Sequence, residues 1–140
     1  MKAIHKKRLL KLYEYMRQPQ SKLAHKKFNF DVFNSLLGTT EDNPCGTMGC
    51  MAGELPAIDP RNWCWVESDI RRKGGIAIIQ TDLKEYFGLD YFEVRHLFYP
   101  SYQSDLIDPY YECHARLDSD ATKAQVVANL RRFLKIKGIL

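Results

Sequence analysis

At 140 residues, 45% hydrophobic and 27% charged, the chain has the length and apolar content of one globular domain with its own core. No apolar run approaches the length needed to span a bilayer, which argues against a membrane partner, and the basic start Met1 to Arg8 lacks the apolar centre of a signal peptide. The net charge of +4 is unevenly spread: residues 1–38 carry nine Lys/Arg against two acids and residues 121–140 five against none, whereas residues 81–120 carry three against nine.

In chain order, residues 3–17 read as a helix whose stripe is Leu9, Leu12, Tyr13 and Met16, closed by Gln18-Pro19-Gln20. Phe28, Phe30 and Phe33 have a mixed period and read as a short extended or single-turn segment anchored in the core. His5 and His25 sit among lysines and are expected in solvent. Gly38 to Pro44 is a loop by composition. A short helix is expected from Thr47 to Leu55, stopped by Pro56. Asp59-Pro60 makes a turn. Trp63–Val66 and Ile76–Ile79 have strand propensity, with residues 67–75 closing a hairpin between them. Thr81 is expected to cap a helix to Phe87, with Gly88 as its left-handed end. Asp90 with Glu93, and Thr122 with Gln125, form capping-box patterns for two more helices, the first ended by Pro100. The last has a clean apolar face of Val126, Val127, Leu130, Phe133 and Leu134. The fold class is therefore α+β, a mainly helical single domain over residues 1–140 with a small two-stranded antiparallel sheet.

The four cysteines, Cys45, Cys50, Cys64 and Cys113, are expected as reduced thiols in a cytosolic chain. No pair has C-x-x-C spacing, so neither a metal site nor a cofactor is expected. The densest chemistry lies in Cys45-Gly46-Thr47-Met48-Gly49-Cys50-Met51-Ala52-Gly53. Glycines at a helix start let backbone N–H groups approach an anion, although no P-loop or dinucleotide fingerprint is present. A cysteine at such a start has its pKa lowered by the helix dipole. Trp63 and Trp65 share one strand parity, and Tyr99, Tyr102, Tyr110 and Tyr111 cluster later, with Arg71, Arg72 and Lys73 available to accompany a stacked base. At least one tryptophan is expected in the core.

The cysteine segment, together with Phe28-Asn29-Phe30-Asp31, Tyr86-Phe87-Gly88-Leu89, Leu97-Phe98-Tyr99-Pro100-Ser101-Tyr102 and the Thr-capped terminal helix, resembles a group of small bacterial and phage proteins that share C-G-T-x-x-C-x-x-G, F-G-L and L-F-x-P-x-x-Y. The resemblance implies a mostly helical small domain in a mobile-element setting, with no agreed activity. Members often carry a histidine where this chain has Glu54.

Three functions follow as expectations. The first is a non-enzymatic binding module, phage- or prophage-encoded, that engages a host protein or a small nucleotide-like ligand through Cys45, Gly46, Thr47, Gly49, Cys50, Trp63 and Trp65. The second is a thiol enzyme with Cys45 as nucleophile and His96 or His114 as base. The third is nucleic-acid binding through the basic terminal helices. No oligomeric state is implied.

Overall fold

The stripe Leu9, Leu12, Tyr13 and Met16 is buried along one side of helix α1 (Ala3–Met16), as a spacing of three to four residues requires. The computed structural model describes residues 1–33, 48–100 and 117–140. Around α1 it packs α2 (Leu55–Ile58), α3 (Ile79–Phe87) and α5 (Lys123–Ile136), while α4 (Tyr91–Phe98) joins α3 to α5. Leu83, Phe87, Val94, Leu97, Phe98, Val126, Leu130 and Leu134 meet the α1 stripe in one continuous core. Phe87 and Phe98 stack at 5.4 Å, tying α3 to α4.

The strands are short. β1 (Lys27–Phe28) pairs parallel with β2 (Met48–Gly49), and β3 (Trp63–Val66) pairs antiparallel with β4 (Asp69–Arg72). The described residues thus form a mainly helical α+β fold with a small antiparallel sheet, as expected. Both capping boxes are present: Asp90 with Glu93 at α4, and Thr122 with Gln125 at α5. Gly88 ends α3 at φ 65, and a Cβ there would lie 2.0 Å from the His5 ring, so the residue is fixed both by backbone conformation and by the approach of α1.

Three expectations require correction. The second hairpin strand is Asp69–Arg72 and not Ile76–Ile79. Glu67 takes φ 55 and turns the chain tightly, which places Ile70 inside the fold opposite Trp65. Ile76 and Ile78 are left 60% and 56% exposed. Helix α3 begins at Ile79, ahead of Thr81; its buried first-turn residue Asp82 accepts the Ile76 N–H at 3.2 Å and takes over the organising role. Finally, the helix expected over residues 47–55 is displaced. Met48–Gly49 is strand, Ala52–Glu54 is a 3₁₀ turn, and Pro56 lies in the first turn of α2, where its missing N–H is no loss.

Candidate functional site

The cysteine segment enters the fold at Gly49–Cys50. Asn29 N–H donates to Gly49 O at 3.0 Å and Cys50 N–H to Val32 O at 2.7 Å, which pins the segment beside β1. The chain then winds through Ala52–Glu54 into α2, so Cys50 sits just ahead of this turn. Its thiol is wholly buried, and that burial pushes its pKa up to about 11, although the N–H groups of Gly53 and Ala52 pull the other way. A desolvated thiol of this kind is the reverse of an activated one.

Beneath the segment lies a buried pair that its sequence context concealed. His25 Nδ1 is 3.0 Å from Glu54 Oε2, with both side chains 2% exposed. The His25 backbone N–H also donates to Glu54 Oε1 at 3.2 Å. The expectation that His25 is solvated is therefore wrong. Lys26 and Lys27 beside it do face water, but the chain turns there and its ring points inward. Trp65 stands edge-on to the His25 ring at 5.9 Å and donates its indole N–H to Gly53 O at 2.8 Å. A Cβ on Gly49 would come within 2.7 Å of the same ring.

Among the residues singled out in the sequence, Gly49, Cys50 and Trp65 are thus gathered round the His25–Glu54 pair. Trp63 is not. It is 1% exposed and stands edge-on to Tyr86 at 5.4 Å, which makes it the core tryptophan. His96 is buried in α4 facing α5, where Asn129 Nδ2 donates to its carbonyl at 3.3 Å. Cys45, Gly46, Thr47 and His114 lie outside the described residues, as do Tyr102, Tyr110 and Tyr111.

A second location was not singled out in the sequence. Between α1 and the α2–β3 turn runs a cleft of about 470 Å³, lined by Ile4, Lys7, Arg8, Lys11, Ile58 to Asn62 and Tyr86. Its volume falls within the roughly 300–1,000 Å³ that small-molecule sites occupy. Lys7 and Lys11 are one helical turn apart, so both project from the same side of α1. Arg61 faces them from the turn, and all three are exposed. None of the three side chains makes a hydrogen bond or ion pair with another described residue.

The floor of this cleft is fixed. Arg8 donates to Tyr86 O at 2.9 Å, and its guanidinium lies 4.0 Å from the centre of the Tyr86 ring. The Tyr86 hydroxyl donates to Asp59 Oδ2 at 2.7 Å, and Asn62 Nδ2 donates to the same oxygen at 2.8 Å. Burial pushes the Asp59 carboxyl up, but these two hydrogen bonds and the charges of Lys11 and Arg8 outweigh it and hold the group below its ordinary range. Burial and the bond to Asp59 together raise Tyr86. The turn itself is strapped to the hairpin: Lys73 Nζ donates to Pro60 O at 2.8 Å, and Lys73 N–H to Asn62 O at 2.7 Å.

The basic ends of the chain do not merge here. Arg17 at the far end of α1 meets Lys123 and Arg131 of α5 in a separate groove of about 420 Å³, where Lys123 Nζ donates to Gln18 O. Burial lowers the Lys123 pKa, against the pull of Glu54.

The fold and the cleft define a small, mainly helical α+β domain with a cationic recess built on its first helix. No family model, curated protein or solved structure matches the chain. No helix among the described residues is long and apolar enough to cross a membrane.

Proposed function

We propose that the chain is a cytoplasmic, non-enzymatic binding module of a phage, prophage or related element, and that it binds a small phosphate-bearing, nucleotide-like ligand in the α1 cleft. The observation that carries this reading is the convergence of Lys7, Arg8, Lys11 and Arg61 on one recess whose one acid among the described residues, Asp59, is already held by Tyr86 and Asn62. The mobile-element setting rests on the resemblance of the cysteine, F-G-L and L-F-x-P-x-x-Y motifs. Cys45, the nucleophile of the thiol-enzyme alternative, lies outside the described residues; the buried, high-pKa thiol beside it in sequence is that of Cys50.

Exposed ion pairs each contribute about 0–1 kcal/mol net, so four cations supply at most about 4 kcal/mol, a dissociation constant on the order of 1 mM or weaker in the absence of further contacts. Such binding weakens with added salt. The test is calorimetric titration with nucleoside 5′-diphosphates at low ionic strength. Lys7→Glu combined with Arg61→Glu abolishes binding in a chain that still folds, whereas Arg131→Glu in the separate groove leaves it intact. Absence of binding by the wild-type chain, or equal loss in both variants, refutes the reading. Binding confined to long polynucleotides would transfer the cleft to the nucleic-acid alternative.

A further inference from the structure

We infer that Asp59 makes the α1 cleft selective for a phosphorylated ligand that also presents a hydrogen-bond donor, such as a ribose hydroxyl or a base amine, and turns away bare phosphate anions; this inference rests on the reading of the cleft as a site for phosphate-bearing ligands. A fixed carboxylate among the cations of a recess disfavours a fully ionised inorganic anion, because the two negative groups repel. Here the carboxylate is placed with care. Tyr86 and Asn62 both donate to Oδ2, at 2.7 and 2.8 Å, and this orients the group. No described residue donates to Oδ1. An ionised carboxylate only accepts hydrogen bonds, so a ligand that engages Oδ1 must donate.

The cleft thus divides into two chemistries. Lys7, Lys11 and Arg61 form a rim of long, unpaired cations suited to a phosphate of variable position. Asp59, Tyr86, Asn62 and Arg8 form a rigid floor, because Arg8 is itself held by the Tyr86 carbonyl and ring. Ile4 and Pro60 complete the lining with apolar surface. At about 470 Å³ the recess is far larger than a phosphate ion needs, and it leaves room for the organic body that would carry the donor. A ligand that spans rim and floor gains from both. A bare anion is drawn by the cations alone and has no donor to offer the Asp59 carboxylate.

The experiment compares nucleoside 5′-diphosphates with inorganic pyrophosphate on the full chain, wild type and Asp59→Asn, at low ionic strength and at a pH high enough that pyrophosphate carries no P–OH donor. The wild type binds at least one nucleoside diphosphate tenfold or more tightly than pyrophosphate. In Asp59→Asn the amide keeps the shape and offers an oxygen to Tyr86 and Asn62, but its NH₂ replaces the free acceptor. Pyrophosphate then gains threefold or more, the nucleotide loses, and the ratio falls toward one. A merely structural role would weaken both ligands by the same factor, and that result overturns the inference. So does a wild-type ratio near one, which leaves the cleft as a plain anion site and the proposed function standing. If neither ligand binds the wild type, the reading of the cleft fails and the inference falls with it. If Asp59→Asn melts early, Asp59→Ser takes its place in the comparison, and a wild-type ratio near one still overturns the inference without any variant.

Discussion

The Glu54 carboxyl grips His25 twice, taking the backbone N–H on Oε1 at 3.2 Å and lying 3.0 Å from the ring Nδ1 with Oε2. One side chain therefore fixes both the path of the chain after α1 and the orientation of the ring against which Gly49 and Trp65 pack. Glu54 belongs to the 3₁₀ turn that leads into α2, and α2 in turn ends at Asp59 on the cleft floor. The buried pair and the cleft are thus linked through a few residues of backbone.

Removal of one partner from this pair leaves the other buried without compensation. Glu54→Ala is expected to cost about 3 kcal/mol, at the lower end of the range for breaking a buried pair. Glu54→Gln keeps an acceptor for the His25 N–H and costs less. Urea unfolding of the two variants gives the comparison; equal and small losses, under about 1 kcal/mol, would mean that the pair does not hold the fold.

Gly53 offers a second, purely steric test. A Cβ built on it would sit 1.8 Å from the Phe33 carbonyl oxygen, a backbone atom that no rotamer change can move. Gly53→Ala must therefore shift the Phe33 segment away from the turn, and the Trp65 indole loses its acceptor geometry at Gly53 O. A loss of several kcal/mol is expected, in the upper tail for single substitutions. Near-wild-type stability of this variant would show that the two segments do not approach as described.

How much of this was legible in the sequence depended on whether the determining contacts were local. Helices α1, α4 and α5 were readable because their signals lie within one stretch of chain: a periodic stripe in α1, a capping box in α4, and both in α5. β4 was missed because its single inward residue, Ile70, is flanked by Asp69 and Arg71, while the more apolar stretch Ile76 to Ile78 runs exposed, its Ile76 N–H bonded to Asp82 further along. Glu54 did carry a signal. A lone carboxylate within the apolar run from Cys50 to Ile58 demands a buried partner, although nothing in the sequence points to His25 as that partner. The cleft was least readable. Lys7 and Lys11 are helical neighbours, but Arg61, Asp59 and Tyr86 reach them only through the packing of α1 against α2 and α3.

Cys50 predicts a chemical contrast. With a pKa of about 11 it holds roughly one thiolate in ten thousand molecules at pH 7, against a few per cent for a free cysteine. Iodoacetamide is expected to alkylate Cys50 at least 100-fold more slowly in the folded chain than in urea, with half-buried Cys64 modified well before it. The sign for stability is also set. The unfolded thiol ionises near 9.0 and the folded one near 11, so the contribution of Cys50 is full below pH 9 and is lost as pH rises toward 11, by at most about 3 kcal/mol. Peptide mapping of the labelled protein gives the first result, and urea melts of wild type and Cys50→Ala across pH 8–11 give the second. Labelling of folded Cys50 at the rate of a free thiol would refute its burial.

Asp59 predicts the opposite limb. Its carboxyl is held below the ordinary value of 3.8 because the bonds from Tyr86 and Asn62, with Lys11 and Arg8 nearby, favour the ionised form against the push of burial. A lowered folded pKa means that the native state binds fewer protons than the unfolded state in that window, so stability rises with pH there. The contribution is present above the unfolded pKa and is lost as pH falls through the folded one. Asp59→Asn should therefore be less stable than wild type at pH 6, with the gap closing as pH drops below about 4. Urea melts at intervals from pH 6 to pH 2 measure that gap directly. A gap that stays constant over the whole range would mean that ionisation of Asp59 contributes nothing, and that the floor of the cleft is held by the shape of its hydrogen bonds alone.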